Sequence, residues 1–112
     1  MKNYRVMGRL WIKGEEGTFL GRGRVILLEK IAELGSISEA ARVLNMSYRH
    51  AWDLVNYMNK QAKYPVVETT KGGKGGGGAV ITDYGKKCID FYCDLEEKFE
   101  EFLRKQTESF NN

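Results

Sequence analysis

Three observations predict a mostly α-helical fold with a small β component. The stretch from Thr70 to Thr82 reads T-K-G-G-K-G-G-G-G-A-V-I-T, with six of the chain's 13 glycines between Gly72 and Gly78. The apolar pairs Val66-Val67 and Val80-Ile81 flank it. Two β-type runs around a basic, glycine-rich tip read as a hairpin. Upstream, two short helical patterns meet at a turn; downstream, an apolar stripe at helical spacing runs from Tyr84 to Leu103. Helix, turn, helix and hairpin, in that order, make a winged helix-turn-helix. A β-hairpin precedes it and a long C-terminal helix follows.

All 112 residues are expected to form one domain, since the length suits one modest core. Residues 4–20 read as the N-terminal β-hairpin. Tyr4 to Lys13 is strand-rich, Gly14-Glu-Glu-Gly17 is a turn, and Thr18-Phe19-Leu20 pairs back. Residues 24–60 hold the first helix and the helix-turn-helix. The first helix runs from Arg24 to Leu34 and stops at Gly35, a C-terminal cap. Val25, Ile26, Leu27, Leu28, Ile31 and Leu34 are too many for one face. Two partners are expected, the core and a second subunit.

Ser38 is the expected N-cap of the next helix, which ends at Leu44, and Asn45-Met46 is the turn. Ser47 caps a helix from Tyr48 to Lys60. Ile37, Leu44, Ala51, Val55 and Met58 form the inward set, and small Ala40 and Ala41 let two helices cross closely. Residues 66–82 form the wing. Thr82 caps the last helix, residues 83–106, at roughly 35 Å long. Its stripe of Tyr84, Cys88, Phe91, Tyr92, Leu95, Phe99, Phe102 and Leu103 exceeds what so small a domain can cover. The surplus marks a dimerisation helix.

Composition narrows the function classes. Hydrophobic residues are 42% of the chain, and no apolar run reaches the roughly 18 residues of a membrane span. With no signal-peptide core at the N-terminus, a cytoplasmic location is expected. Net charge is only +3, but residues 88–112 carry three basic and seven acidic side chains, whereas residues 36–87 carry eight basic and four acidic. That asymmetry points to an anionic partner on one face. Cys88 and Cys93 face different sides of a helix, which suits reduced thiols rather than a disulfide.

Catalytic motifs fail their own requirements. Gly73 to Gly78 matches G-x-G-x-x-G, but a strand-like segment follows where a dinucleotide site needs a helix. Lys74 precedes Gly75 rather than Ser or Thr, so this is no Walker loop. His50 is the single histidine and has no nucleophile beside it. No catalytic residue, cofactor or metal site is expected.

The outward positions carry the chemistry. With Ala51, Val55 and Met58 inward, Tyr48, Arg49, Trp52, Asp53 and Asn56 point outward. Ser47 and the free N–H groups of the helix start suit a phosphate. Arg49 suits guanine and Asn56 adenine. His50 suits phosphate or a base. Asp53 either accepts from cytosine or orients Arg49, and Trp52 either contacts DNA or packs. Lys71 and Lys74 supply phosphate contacts at the wing.

Three segments extend this reading: Gly35-Ser-Ile-Ser-Glu-Ala-Ala, Met46-Ser-Tyr-Arg-His-Ala-Trp-Asp-Leu-Val-Asn-Tyr-Met-Asn59, and Gly72 to Gly85. They resemble the N-terminal DNA-binding domain of the ModE family of molybdate-responsive repressors. More distantly they are similar to the winged helix of LysR-type regulators. The resemblance covers residues 23 to 106. It implies a homodimer held by the first and last helices, a recognition helix at Ser47–Lys60, and a wing at Lys71–Gly78. It carries DNA contacts to Ser47, Tyr48, Arg49, Lys71, Lys74 and Asn56. The expected function is a dimeric, sequence-specific regulator on double-stranded DNA with an inverted-repeat operator. The alternative is a protein-interaction module that keeps the fold without the DNA role. Full-length ModE proteins carry C-terminal molybdate-binding domains that the resemblance does not reach. This chain alone is therefore expected to be indifferent to molybdate, with effector sensing left to a separate effector-binding partner.

Overall fold

Residues 2–70 and 77–112 are described by the computed structural model. In chain order the elements are β1 (Ile12–Lys13), β2 (Thr18–Leu20), α1 (Arg22–Leu34), α2 (Ile37–Val43), α3 (Tyr48–Gln61), β3 (Val67–Thr69), β4 (Ala79–Ile81) and α4 (Asp83–Asn111). The fold is winged-helix-like and mostly α. Two small antiparallel sheets pair β1 with β2 and β3 with β4. In the second, Val67 faces Ile81 and Thr69 faces Ala79.

The core is where α1, α2 and α3 meet the root of the second sheet. Leu27, Leu28, Ile31, Ala40, Ala51, Val55, Met58 and Val66 are fully enclosed there. Of the expected inward set, Ile37, Ala51, Val55 and Met58 are buried, and Leu44 is half-buried at its edge. Alanines at 40, 41 and 51 let the helices approach closely, as close packing requires. Gly35 caps α1 in the left-handed conformation at φ 70°, and Asn45 makes the α2–α3 turn at φ 59°.

Four expectations need correction. The strand expected over Tyr4 to Lys13 is a strand only at Ile12–Lys13. β2 has three residues and cannot pair with a longer partner. The preceding segment lies along α4 instead, whose side chains satisfy its backbone. Tyr4 N–H donates to Asn111 Oδ1 at 3.0 Å, Val6 N–H to Thr107 Oγ1 at 2.9 Å, and Tyr92 O–H to the Leu10 carbonyl at 2.8 Å. The N-cap of α2 is Ser36, not Ser38: its side chain accepts from Glu39 N–H at 3.1 Å. Ser36 and Glu39 stand at capping-box spacing, and Glu39 brings its charge into the first turn. α1 starts two residues early, at Arg22. α4 runs on to Asn111, past the expected end at 106, because the N-terminal segment packs on its last turns. Among the described residues, no helix is long and apolar enough to cross a membrane.

Candidate nucleic-acid interface

α3 owes its position to its own sequence. Ser47 caps it, accepting from His50 N–H at 3.0 Å. Ala51, Val55 and Met58 sink one face into the core. The N–H groups of Tyr48 and Arg49 precede the first intrahelical bond and lie at the positive end of the helix dipole. Ser47, Tyr48, Arg49, His50, Asp53 and Asn56 are all exposed. Five of the eight residues singled out for DNA contact thus lie on α3, and a sixth, Ser47, is its N-cap. The other two, Lys71 and Lys74, lie outside the described residues.

Arg49 and Asp53 stand one turn apart, with Nε 3.6 Å from Oδ2 and both side chains largely in solvent. Such a pair contributes little stability. It places the Asp53 carboxylate beside the Arg49 guanidinium on the outer face of α3. Trp52 keeps 36% of its surface exposed, and Tyr48, one turn before it, keeps 52%. Both line a groove of about 760 Å³ between α3, the start of α2 and the end of the second sheet where β3 finishes and β4 begins. Ser36, Ser38, Thr70 and Gly78 form its opposite walls. Trp52 thus lines this groove while most of its surface is covered by the protein.

The far end of α3 is committed to structure. Tyr57 O–H donates to the Glu16 carbonyl at 3.1 Å, and the Arg24 guanidinium lies 5.2 Å from the centre of the Tyr57 ring. Asn59 turns toward the second sheet, where its Oδ1 accepts from Val66 N–H at 2.8 Å and Val67 N–H at 3.2 Å. Its Nδ2 donates to the Val67 carbonyl at 2.9 Å. The sheet's other edge is held by α1's cap, because Ala79 N–H donates to the Gly35 carbonyl at 2.9 Å.

Sequence reasoning missed the hydroxyl wall of the groove and the Asn59 bonds. The Ser36-x-x-Glu39 spacing could have found the first. No local signal marks Asn59, whose partners come round a loop. Among the described residues, no group of three or more His, Cys, Asp or Glu could hold a metal ion. Burial pushes the Cys88 and Cys93 thiols above their ordinary value, which keeps them protonated and poor nucleophiles.

No protein-family model matches the chain. Curated relatives do. The chain is 38% identical over 107 residues to the molybdenum transport protein ModE of Azotobacter vinelandii, covering 96% of this chain and 40% of that protein. It is 45% identical over 83 residues to the DNA-binding transcriptional dual regulator ModE of Escherichia coli K12, covering 74% of this chain and 32% of that one. It is 44% identical over 95 residues to the molybdenum-pterin-binding protein MopB of Rhodobacter capsulatus, covering 85% and 35%. The chain thus spans 32–40% of the length of these relatives. On these identities and this fold, the chain is a homologue of the ModE proteins and corresponds to a ModE-like N-terminal domain.

Proposed function

We propose that the chain is a cytoplasmic, homodimeric transcription-regulator module that binds double-stranded DNA at an inverted repeat. The observation that carries this reading is the exposed array from Ser47 to Asn56 at the start of α3, beside the Thr69–Thr70 and Gly78–Ala79 ends of a hairpin whose sequence includes Lys71 and Lys74. A helix of this kind enters the major groove by its N-terminal half. Arg49, oriented by Asp53, reads guanine through two N–H donors, and Asn56 reads adenine. Ser47 and the first N–H groups of α3 hold a phosphate. His50 adds a phosphate or base contact, and Lys71 and Lys74 hold phosphates farther along the backbone. Two copies related by a two-fold axis place two α3 helices on two half-sites. Names of the relatives support DNA as the partner.

The test selects bound duplexes from fragmented genomic DNA, then titrates the recovered site at several salt concentrations. Affinity should fall steeply with salt, as counterions leave the phosphates. Arg49→Ala should cost about 1–3 kcal/mol and relax preference at one base position. Lys74→Ala should weaken every sequence alike. Affinity that is unchanged between low and high salt contradicts the reading.

A further inference from the structure

The second sheet has only two strands, and its outer edges would ordinarily be open. Each edge bonds to a specific group outside the sheet. At the two ends of the pairing, Thr82 N–H donates to the Val66 carbonyl and Thr70 N–H to the Gly78 carbonyl. By the alternation of an antiparallel ladder, Val67 turns its N–H and C=O away from β4. The Asn59 carboxamide bonds both groups, with Oδ1 on the N–H and Nδ2 on the carbonyl. In effect, one side chain of α3 serves as a third strand. The fit is directional: reversing the amide would set its NH₂ against two donors. A third bond reaches Val66 N–H. The contact is partly buried, so these bonds compete little with water.

We propose that Asn59 is a positioning residue that fixes the hairpin relative to the recognition helix, so that both engage one DNA site together. This rests on the DNA-binding reading. Asn59 sits near the end of α3 opposite Ser47 and His50, one turn beyond Asn56, with its carboxamide committed to the hairpin. It acts through Val66 and Val67, whose strand leads directly to Thr70 and the lysine-bearing segment after it. Gly35 closes β4's edge through one backbone bond, and a backbone bond gives no side chain to vary. Asn59 is therefore where a mutation can uncouple hairpin from helix. Without it, the strands that carry the lysine-bearing segment must be set against α3 during binding, at an entropic cost the intact protein has already met.

A double-mutant cycle on DNA affinity, with the full chain and the selected duplex, tests this. In the wild type, replacing Lys71 and Lys74 together by Ala should weaken binding several-fold and lower the log–log salt slope by about 1.8. In an Asn59→Ala background the same replacement should cost at least roughly 3-fold less. Arg49→Ala should cost the same in both backgrounds, within about 2-fold. A merely destabilised protein would show no such selectivity. Asn59→Asp keeps the two acceptor bonds and loses the donor, so it should give an intermediate coupling; it stands in should the alanine variant not fold. Lysine losses that simply add to either Asn59 change, or equal coupling with Arg49, overturn the proposal while leaving DNA binding intact. A wild type that binds no duplex at all overturns the DNA-binding reading and this inference with it.

Discussion

Gly85 packs its bare Cα against the carbonyl of Val66, so closely that an added β-carbon would collide with that oxygen and stand 2.7 Å from Ile81 Cγ2. Thr82 tightens the same joint. Its N–H donates to the Val66 carbonyl at 3.0 Å and its hydroxyl to the Pro65 carbonyl at 2.6 Å. The hydroxyl also accepts from Gly85 N–H at 2.9 Å, which caps α4. The root of β3 is thus gripped by the start of α4 on one side and by Asn59 on the other.

Glycine within a helix is ordinarily a weakness, and alanine there gains up to about 1 kcal/mol. At Gly85 the sign should reverse. Overpacking against backbone costs about 1–3 kcal/mol, because a carbonyl cannot rotate aside as a side chain can. Gly85→Ala should lower the urea midpoint. Gly23→Ala in α1, with nothing within 4 Å of the new methyl, should leave it unchanged or raise it. Equal effects at both sites would show that the joint has more slack than the geometry describes.

The cap of α2 gives a second contrast between near neighbours. Ser36 bonds Glu39 N–H, whereas Ser38 lies exposed inside the helix. Ser36→Ala should cost about 1 kcal/mol of stability, the ordinary worth of an N-cap. Ser38→Ala should stay within about 0.5 kcal/mol of zero, as for most surface changes. Denaturant unfolding of the two variants decides the assignment, and a larger loss at Ser38 would reverse it.

How much could be read in advance depended on whether a signal was local. The 51/55/58 spacing, the Ser47 cap and the Asn45 turn lie within one helical hairpin, and all appear in the structure. The two serines two residues apart offered two registers, and only the capping-box partner Glu39 separates them. Tyr4 to Leu10 failed for a different reason. An extended segment looks the same in sequence whether it pairs with a strand or lies on a helix. Only the three-dimensional position of Asn111, more than a hundred residues away, settles its partner. Asn59 was hidden in the same way, because its partners depend on how the loop returns. The outward residues of α3 were legible from the helix's period alone, and Lys71 and Lys74 fall outside the described residues.

Alkaline pH should loosen the contact between α4 and the body. Tyr92 is 1% exposed, and burial, helped by the Glu96 carboxylate, raises its pKa above the ordinary 10.0. Cys93 is raised above 9.0 by burial and then by the carboxylates of Glu29, Glu96, Asp90 and Glu97. Burial also raises Cys88, against an opposing hydrogen bond with Tyr84, and raises Tyr84 itself. All four are acids that the folded state keeps protonated. As pH climbs, the unfolded chain loses these protons first, so it becomes progressively favoured. Stability from these groups is fully present below their ordinary values and is lost as pH rises through the raised ones. The urea midpoint should fall between about pH 8 and pH 11. Tyr92→Phe should flatten part of that fall even though it removes the bond to Leu10. A variant whose pH profile overlays the wild type would exclude Tyr92 as a contributor.

Assembly is the last expectation, and it follows from apolar surface left open. Trp11 is 58% exposed, Phe91 63%, Phe102 56% and Ile26 40%. They lie on the N-terminal segment, α1 and α4, where a groove of about 510 Å³ runs between Trp11, Ile26 and Phe99. α4 carries the molecule to a length of 62 Å against 29 and 22 Å across. A protrusion with aromatic side chains along it is costly in water, and a second copy with the same surface can cover it through a two-fold axis. The wild type should therefore sediment as a dimer at micromolar concentration. Phe102→Glu should raise the dimer dissociation constant by roughly 10-fold or more, since aromatic anchors dominate such interfaces. Phe102 is largely solvated in the single chain, so the change should leave helical circular dichroism intact. Removing the residues after Tyr92 should give a monomer or an aggregating chain. A wild type that sediments as a monomer at micromolar concentration would leave the inverted-repeat arrangement without a basis.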